Sequence, residues 1–239
     1  MRGCQHGVPA VVVLENLWKE DKNPRKWPRL FEFRAAFVEP PVVGTELPPV
    51  RVTLPDGATV LTKQSDFNKV VSQVLERDVV LSSTTLQSPS LEEFWPEVEG
   101  ITYNNAVTDE AMPPLTFFDL APIHILTTST LARLSELYPQ GHFDVRRFRP
   151  NIVIESAGGE KDFVENDWIG RTLAIGEEVR LRITGACPRC VMTTLPQSDL
   201  PRDLGILRTA AKYNSANVGV YATVLQGGTI HRGDAIKLE

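Results

Sequence analysis

The sequence predicts a mainly β protein of the α+β type, and three observations carry that expectation. Short apolar, β-branched runs recur between turn residues. The 239-residue chain holds 18 prolines and 16 glycines, which favours many turns over long helices. Helical periodicity is confined to three segments.

Strands are expected at 10–14, 31–38, 50–54 and 58–61. The last two are joined by Pro55-Asp56-Gly57, in which Pro presets φ and Gly accepts a positive φ. A helix follows Ser65-Asp66, which can cap it, because Phe67, Val70, Val71, Val74 and Leu75 form one apolar stripe. Residues 86–114 carry Pro89, Pro96, Pro113 and Pro114, strong acidity and no consistent period, so a long irregular connection and domain boundary are expected there. Further on, strands are expected at 123–126, 152–155, 179–183, 190–194, 218–224 and 235–238. A second helix is expected over 127–137, starting from Thr127-Thr128-Ser129-Thr130, and a third over 206–214.

Composition narrows the function classes. A formal charge of −5 argues against a general nucleic-acid binder, which must be basic enough to displace counterions from phosphates. Positive charge is instead local, at Lys19, Lys22, Arg25, Lys26, Arg29 and Arg34, and again at Arg146, Arg147 and Arg149. Glu92, Glu93, Glu97, Glu99, Asp109 and Glu110 form an acidic block expected to cover an exposed loop. No apolar run is long enough to span a membrane, and the stretch 8–14 lacks a cleavage pattern. Three cysteines are too few for a secreted disulfide scaffold, so a reducing, cytoplasmic setting is expected.

Two units could carry chemistry. Cys187-Pro188-Arg189-Cys190 leads into Val191-Met192-Thr193-Thr194, a run expected to be extended. A redox dithiol would need a strand-to-helix context, and a closed zinc site would need a second ligand pair, whereas Cys4, His6, His124, His142 and His231 are scattered. Two buried apolar thiols remain a third reading. Against that reading stands Arg189, whose fixed charge would favour a thiolate at Cys190. In the second unit, Arg147-Phe148-Arg149-Pro150-Asn151, two guanidinium groups and an amide suit a phosphate or polar heterocycle, although surface carboxylates could equally pair the arginines. Pro150 is expected to hold Arg149 extended.

Taken in order, these units resemble a known family. Arg147 to Ile152, Asp167-Trp168-Ile169-Gly170, Cys187 to Cys190 with Thr193-Thr194, and Asn217-Val218-Gly219-Val220-Tyr221 with Gly228-Thr229-Ile230 and Gly233-Asp234 follow the pattern of the MOSC domain. That domain occurs at the C-terminus of molybdenum cofactor sulfurases and in mitochondrial amidoxime-reducing components. Phe118 to Pro122 and Leu126-Thr127-Thr128 extend the likeness. Pro24 to Leu30 and Leu54 to Gly57 carry it more weakly into the N-terminal domain.

The resemblance implies a MOSC β-barrel with flanking helices at 111–239. It implies a smaller, shortened N-terminal β domain and linker at 1–110, since the family's Pro-Val-Lys-Gly-type strand and Gly-Asp-Arg element are not found. It further implies a molybdenum cofactor (molybdopterin) whose metal takes Cys190 as its protein ligand, with Cys187 beside it. Arg149 and Asn151 would hold the cofactor, and Arg147, Arg189, Thr127 and Thr128 would add donors around its anionic part. The implied activity is reduction of small N-hydroxylated substrates, with electrons from a separate redox protein. A non-catalytic sulfur carrier or cofactor-delivery module, loaded at Cys190 by a sulfur donor, and a degenerate truncated copy are the alternatives. Some members carry pyridoxal phosphate on another domain; no such site is evident in this sequence.

Overall fold

The computed structural model describes residues 13–14, 32–42, 45–82, 90–95, 106–111, 120–156, 158–159, 161–197 and 199–239. The basic stretch from Lys19 to Arg29, the Pro24–Leu30 motif and Phe118-Asp119 lie outside these residues.

The first part of the chain begins with β1 (Val13–Leu14), followed by β2 (Arg34–Phe37), β3 (Val50–Thr53) and β4 (Thr59–Leu61), the last three forming an antiparallel sheet. The turn between β3 and β4 follows the sequence rule: Gly57 has φ +87°, and Ala58 N–H donates to Asp56 Oδ1 at 2.9 Å. Helix α1 (Phe67–Leu75) lays Phe67, Val71 and Leu75 on Val50, Val52 and Val60. Asp66 occupies its N-cap position, but no side chain caps it. The next strand, β5 (Leu81–Ser82), pairs with β1. Part of the stretch expected to be irregular is in fact regular, because β6 (Ser90–Trp95) pairs antiparallel with β7 (Ala106–Ala111). Each of these strands holds at least one β-branched or aromatic residue among its carboxylates, which a composition-based reading of 86–114 averages away.

The second part is a six-stranded sheet that curls into a half-barrel. It consists of β8 (Ile123–Thr127), β9 (Ile152–Ile154), β10 (Thr172–Ile175), β11 (Val179–Pro188), β12 (Asn217–Gln226) and β13 (Ile236–Leu238), in the order β13-β10-β11-β12-β8-β9. All pairs are antiparallel except β8 with β9. The fold is therefore mainly β within the α+β class.

Alternation along β8 sends Ile125 into a core with Leu173, Leu181, Ile183 and Val220, while Leu126 joins Leu134, Phe148, Ile206 and Val218 under the helices. Those helices are α2 (Thr128–Leu137), α3 (Val145–Phe148) and α4 (Gly205–Asn214). On β12, Val218 and Val220 lie in different cores although a regular strand would put them on one face. The cause is a bulge: Ala186 pairs Val220 and Pro188 pairs Asn217, so β12 spends one residue more than β11. Gly219 absorbs it at φ +86°. A side chain could not, because a Cβ there would lie 2.4 Å from both His124 Nε2 and Ile125 O.

Candidate functional site

The bulge sits beside the place where β11 ends in the cysteine motif. Arg189 N–H donates to Ala216 O at 2.8 Å and so extends the strand pairing by one residue past Pro188. The chain then departs from expectation, since Val191–Thr194 is a single turn of 3-10 helix and not a strand. Its β-branched residues are diverted by their hydroxyls. Thr193 Oγ1 donates to Cys190 O at 3.0 Å and Thr194 Oγ1 to Val191 O at 2.7 Å, which closes the turn.

The two cysteines have different environments. Cys187 is fully buried, and Cys190 is half-buried at the head of the turn. Sequence reasoning placed the charge of Arg189 at Cys190; in the structure Arg189 Nη1 donates to Cys187 Sγ at 2.8 Å and Nη2 to Phe148 O at 2.9 Å. Its guanidinium also lies 5.9 Å from the Phe148 ring centroid. Burial works against the charge of Arg189, but Cys187 and then Cys190 outweigh it and hold the group protonated more firmly than an ordinary arginine.

The three neighbouring arginines have three different surroundings. Arg146 is tied at the surface to Asp144 and Asp199, with contacts of 2.9 and 2.6 Å. Arg147 is 1% exposed. Its Nε donates to His142 O at 2.9 Å, Nη1 to Thr193 O and Leu195 O at 3.2 Å each, and Nη2 to Pro201 O at 2.7 Å. It thus clamps the segment that follows Cys190. Arg149 is exposed, and its side chain has no partner among the described residues. Its backbone is left-handed at φ 51°, ψ 47°, which corrects the extended geometry expected before Pro150. Closing α3 requires that conformation, because Arg149 N–H caps the short helix by donating to Val145 O at 3.1 Å.

Asn151 is locked in place by its neighbour on β8. Its Oδ1 accepts from His124 N–H at 2.7 Å and its own N–H donates to His124 O at 2.9 Å. The side-chain Nδ2 of Asn151 has no partner among the described residues. His124, which sequence reasoning passed over as one scattered histidine, is a central support. Its Nε2 lies 3.0 Å from Val218 O, and burial first, then the charge of Arg189, push its pKa down to about 4. A neutral ring with Nε2–H donating to Val218 O follows. The signal for it was its place inside the apolar run of β8.

Thr127 and Thr128 start α2 as expected, but only one of them faces outward. Thr127 Oγ1 accepts from Thr130 N–H at 3.1 Å and donates to Glu165 Oε2 at 2.7 Å, and Thr130 Oγ1 donates to that same oxygen at 2.7 Å. The hydroxyl of Thr127 is therefore committed inside the protein, against a Glu165 that is 1% exposed and went unnoticed in the sequence. Thr128 is exposed, and its Oγ1 accepts from Ser156 N–H at 3.2 Å.

No group of three or more His, Cys, Asp or Glu side chains able to hold a metal ion occurs among the described residues. Cys190 is a half-buried thiol, and the outward-facing donors of this region are the Arg149 guanidinium and Asn151 Nδ2.

The chain is thus of the class of β half-barrel domains that end in a thiol-bearing turn braced by arginines, and the comparison with known proteins gives it a family. The sequence model of the MOSC domain matches residues 113–237, more than half of the chain, and the protein belongs to the MOSC domain family. Two curated relatives are similar over 131 residues at 30% identity: mitochondrial amidoxime reducing component 2 of Rattus norvegicus and that of Bos taurus. Each alignment covers 49% of this chain and 37% of the relative, so the chain spans little more than a third of the relatives it matches.

Proposed function

We propose that this protein binds a molybdenum cofactor, with Cys190 as the single protein ligand to the metal, and reduces small N-hydroxylated compounds using electrons from a separate redox protein. The observation that carries the reading is the division of labour at the cysteine motif: Cys187 is buried against Arg189, while Cys190 is reachable at the head of a turn that Arg147 holds from behind. The names of the two relatives support the substrate class.

When bound, the cofactor supplies two-electron oxygen-atom transfer at molybdenum. The chain supplies the rest. Cys190 offers one soft donor, Arg149 a forked, fully ionised donor for a phosphate, and Asn151 Nδ2 a neutral donor held in register by His124. Neutral His124 keeps a second positive charge away from Arg189. In this reading Arg147 and Thr127 position the site without touching the cofactor, and Thr128 is the outward-facing hydroxyl of the pair. Residues 111–239 form the catalytic unit and 1–110 an accessory β domain with its linker. Cys187 and Cys190 are joined in no disulfide, which suits a reducing compartment, the cytoplasm in our reading.

Metal and pterin content of the full chain and of Cys190→Ser, expressed with abundant cofactor, tests this. Stoichiometric molybdenum and pterin in the wild type, with altered metal coordination in Cys190→Ser, is the expected result. A wild-type protein that purifies without either overturns it. A sulfane-sulfur adduct on Cys190 in such empty protein, seen by intact mass, would establish the sulfur-carrier alternative instead.

A further inference from the structure

Helix α4 is tied to the cysteine turn at both ends. Ahead of its first turn, Asp203 N–H donates to Thr194 O at 2.9 Å. Past its last turn, Ala216 N–H returns to Ala210 O at 3.0 Å, and Ala216 O accepts from Arg189 N–H at 2.8 Å. Leu207 and Ala211 cluster with Ala216, while Ile206 and Ala210 join the core beneath α2. With those positions turned inward, Arg208 and, one turn on, Lys212 stand on the outer side, and both are exposed. Arg202, also exposed, lines with Arg208 and Tyr138 a recess of ≈ 620 Å³ at the start of the helix. At the other end Tyr213 is 45% exposed, with Lys212 Nζ 5.2 Å from its ring centroid.

The charge of this ridge is not balanced by its surroundings. Arg202, Arg208 and Lys212 form no ion pair among the described residues. Asp199 is taken by Arg146 at 2.6 Å. Asp203 is the one carboxylate lining the recess, and it is held by Gly205 N–H at 2.8 Å and by the Tyr138 hydroxyl at 3.3 Å. A chain of formal charge −5 therefore carries a positive strip on the helix that is strapped to its thiol turn. Arg208 and Lys212 repel each other at i, i+4, so their spacing does nothing for the helix itself. What such a strip favours is encounter with a partner of opposite charge.

We propose that the outer side of α4, from Arg202 to Tyr213, is the docking surface for the separate redox protein, and that this partner is a small electron carrier with an acidic face. The inference rests on the molybdenum reading above, which requires such a donor. The three cations steer the encounter, and the recess and the Tyr213 ring seat it. The bonds at both ends of α4 hold the docked face beside the turn that Cys190 heads. Conversion of one N-hydroxyl group to N–H and water consumes two electrons and two protons. Two encounters with a one-electron carrier supply the electrons, and solvent supplies the protons.

The test uses flavodoxin as the acidic carrier and cytochrome c as the basic control, each titrated by calorimetry into the full chain at low and at high salt. Saturable binding of flavodoxin that weakens about tenfold or more at high salt is expected, with none for cytochrome c. Combining Arg208→Glu with Lys212→Glu should weaken flavodoxin binding by about tenfold or more. The same pair should slow reduction of the cofactor-loaded protein by reduced flavodoxin while leaving reduction by dithionite unchanged. Lys237→Glu, on the exposed edge strand β13 three strands from β12, should change binding less than about twofold. All three side chains are exposed, so melting temperatures should not fall. Binding needs no metal, so protein that purifies empty yet binds flavodoxin at this ridge removes the molybdenum reading and supports the docking surface. Absence of saturable flavodoxin binding, equal binding of cytochrome c, tighter binding of a mixed-sequence oligonucleotide, or a double variant that binds as well as wild type overturns it.

Discussion

The cysteine turn and the surface around the 3-10 helix Val164–Trp168 lie in the same MOSC region but differ in how their charged side chains are partnered. Around the turn, most buried polar groups are tied to backbone carbonyls, Arg147 to those of His142, Thr193, Leu195 and Pro201, Arg189 to that of Phe148 and His124 to that of Val218, while Arg189 Nε and Gln197 Nε2 have no partner among the described residues. Around the 3-10 helix, Asn166 Oδ1, Asp167 and Arg171 are all without partners among the described residues. The first arrangement fixes the turn that follows Cys190. The second leaves Asp167 and Arg171 exposed to solvent.

Arg147→Ala breaks the first arrangement most severely. It strips the partner from four carbonyls at once and leaves a cavity where a 1%-exposed side chain stood. Each abandoned buried group costs roughly 1–3 kcal/mol, partly recovered by water, so a loss of about 4 kcal/mol is expected. Denaturant unfolding monitored by circular dichroism measures it. Asp167→Asn, on the open side, should change stability by less than about 0.5 kcal/mol. If the two variants unfold at the same denaturant concentration, the contrast between fixed and open regions is wrong.

A smaller effect comes from pH. His124 in the folded protein takes a proton only near pH 4, whereas in the unfolded chain it does so near its ordinary 6.5. The unfolded state therefore binds more protons between those values. Stability from this residue is complete above about pH 6.5 and declines as pH falls toward 4, by about 3 kcal/mol in all. His124→Gln should flatten that part of the stability profile. A wild-type profile that is already flat there would show the ring to be freely protonated, and the accounting of charge around Arg189 would need revision.

How much of this was legible beforehand depended on whether local chemistry or tertiary contact decided the element. The α2 helix was readable because Thr127 both precedes the apolar period and caps it through its own hydroxyl. The β3–β4 turn was readable because Pro55-Asp56-Gly57 specifies its own backbone. Helix α3 was not, since four residues are too few to show a period, and its left-handed end at Arg149 runs against the preference of a residue before proline. The turn after Cys190 was misread because Val191, Thr193 and Thr194 have strand propensity, which hydroxyl-to-carbonyl bonds within the turn override. Glu165 reads as any surface carboxylate; Thr127 and Thr130, from 35 or more residues away, both donate to its Oε2, while its Oε1 is buried without a partner among the described residues. The motifs thus point to residues, while which of them turn inward is decided by tertiary contacts that no local pattern carries.

Arg149 gives the finest test of that distinction. The pentapeptide Arg147-Phe148-Arg149-Pro150-Asn151 does not say which arginine turns inward; the left-handed cap at Arg149 does, because it reverses the chain direction at that residue while Arg147 remains on the helix. Arg149→Gln should therefore leave stability within about 0.5 kcal/mol of wild type, since no protein group among the described residues loses a partner. Cofactor retention should fall about tenfold, the loss of one charge-assisted contact to a phosphate. Unfolding curves and bound pterin, measured on the same preparations, separate the two effects. An Arg149→Gln protein that keeps its pterin while unfolding more easily would move Arg149 to the structural side, and the outward-facing charge of the site would have to come from another part of the chain.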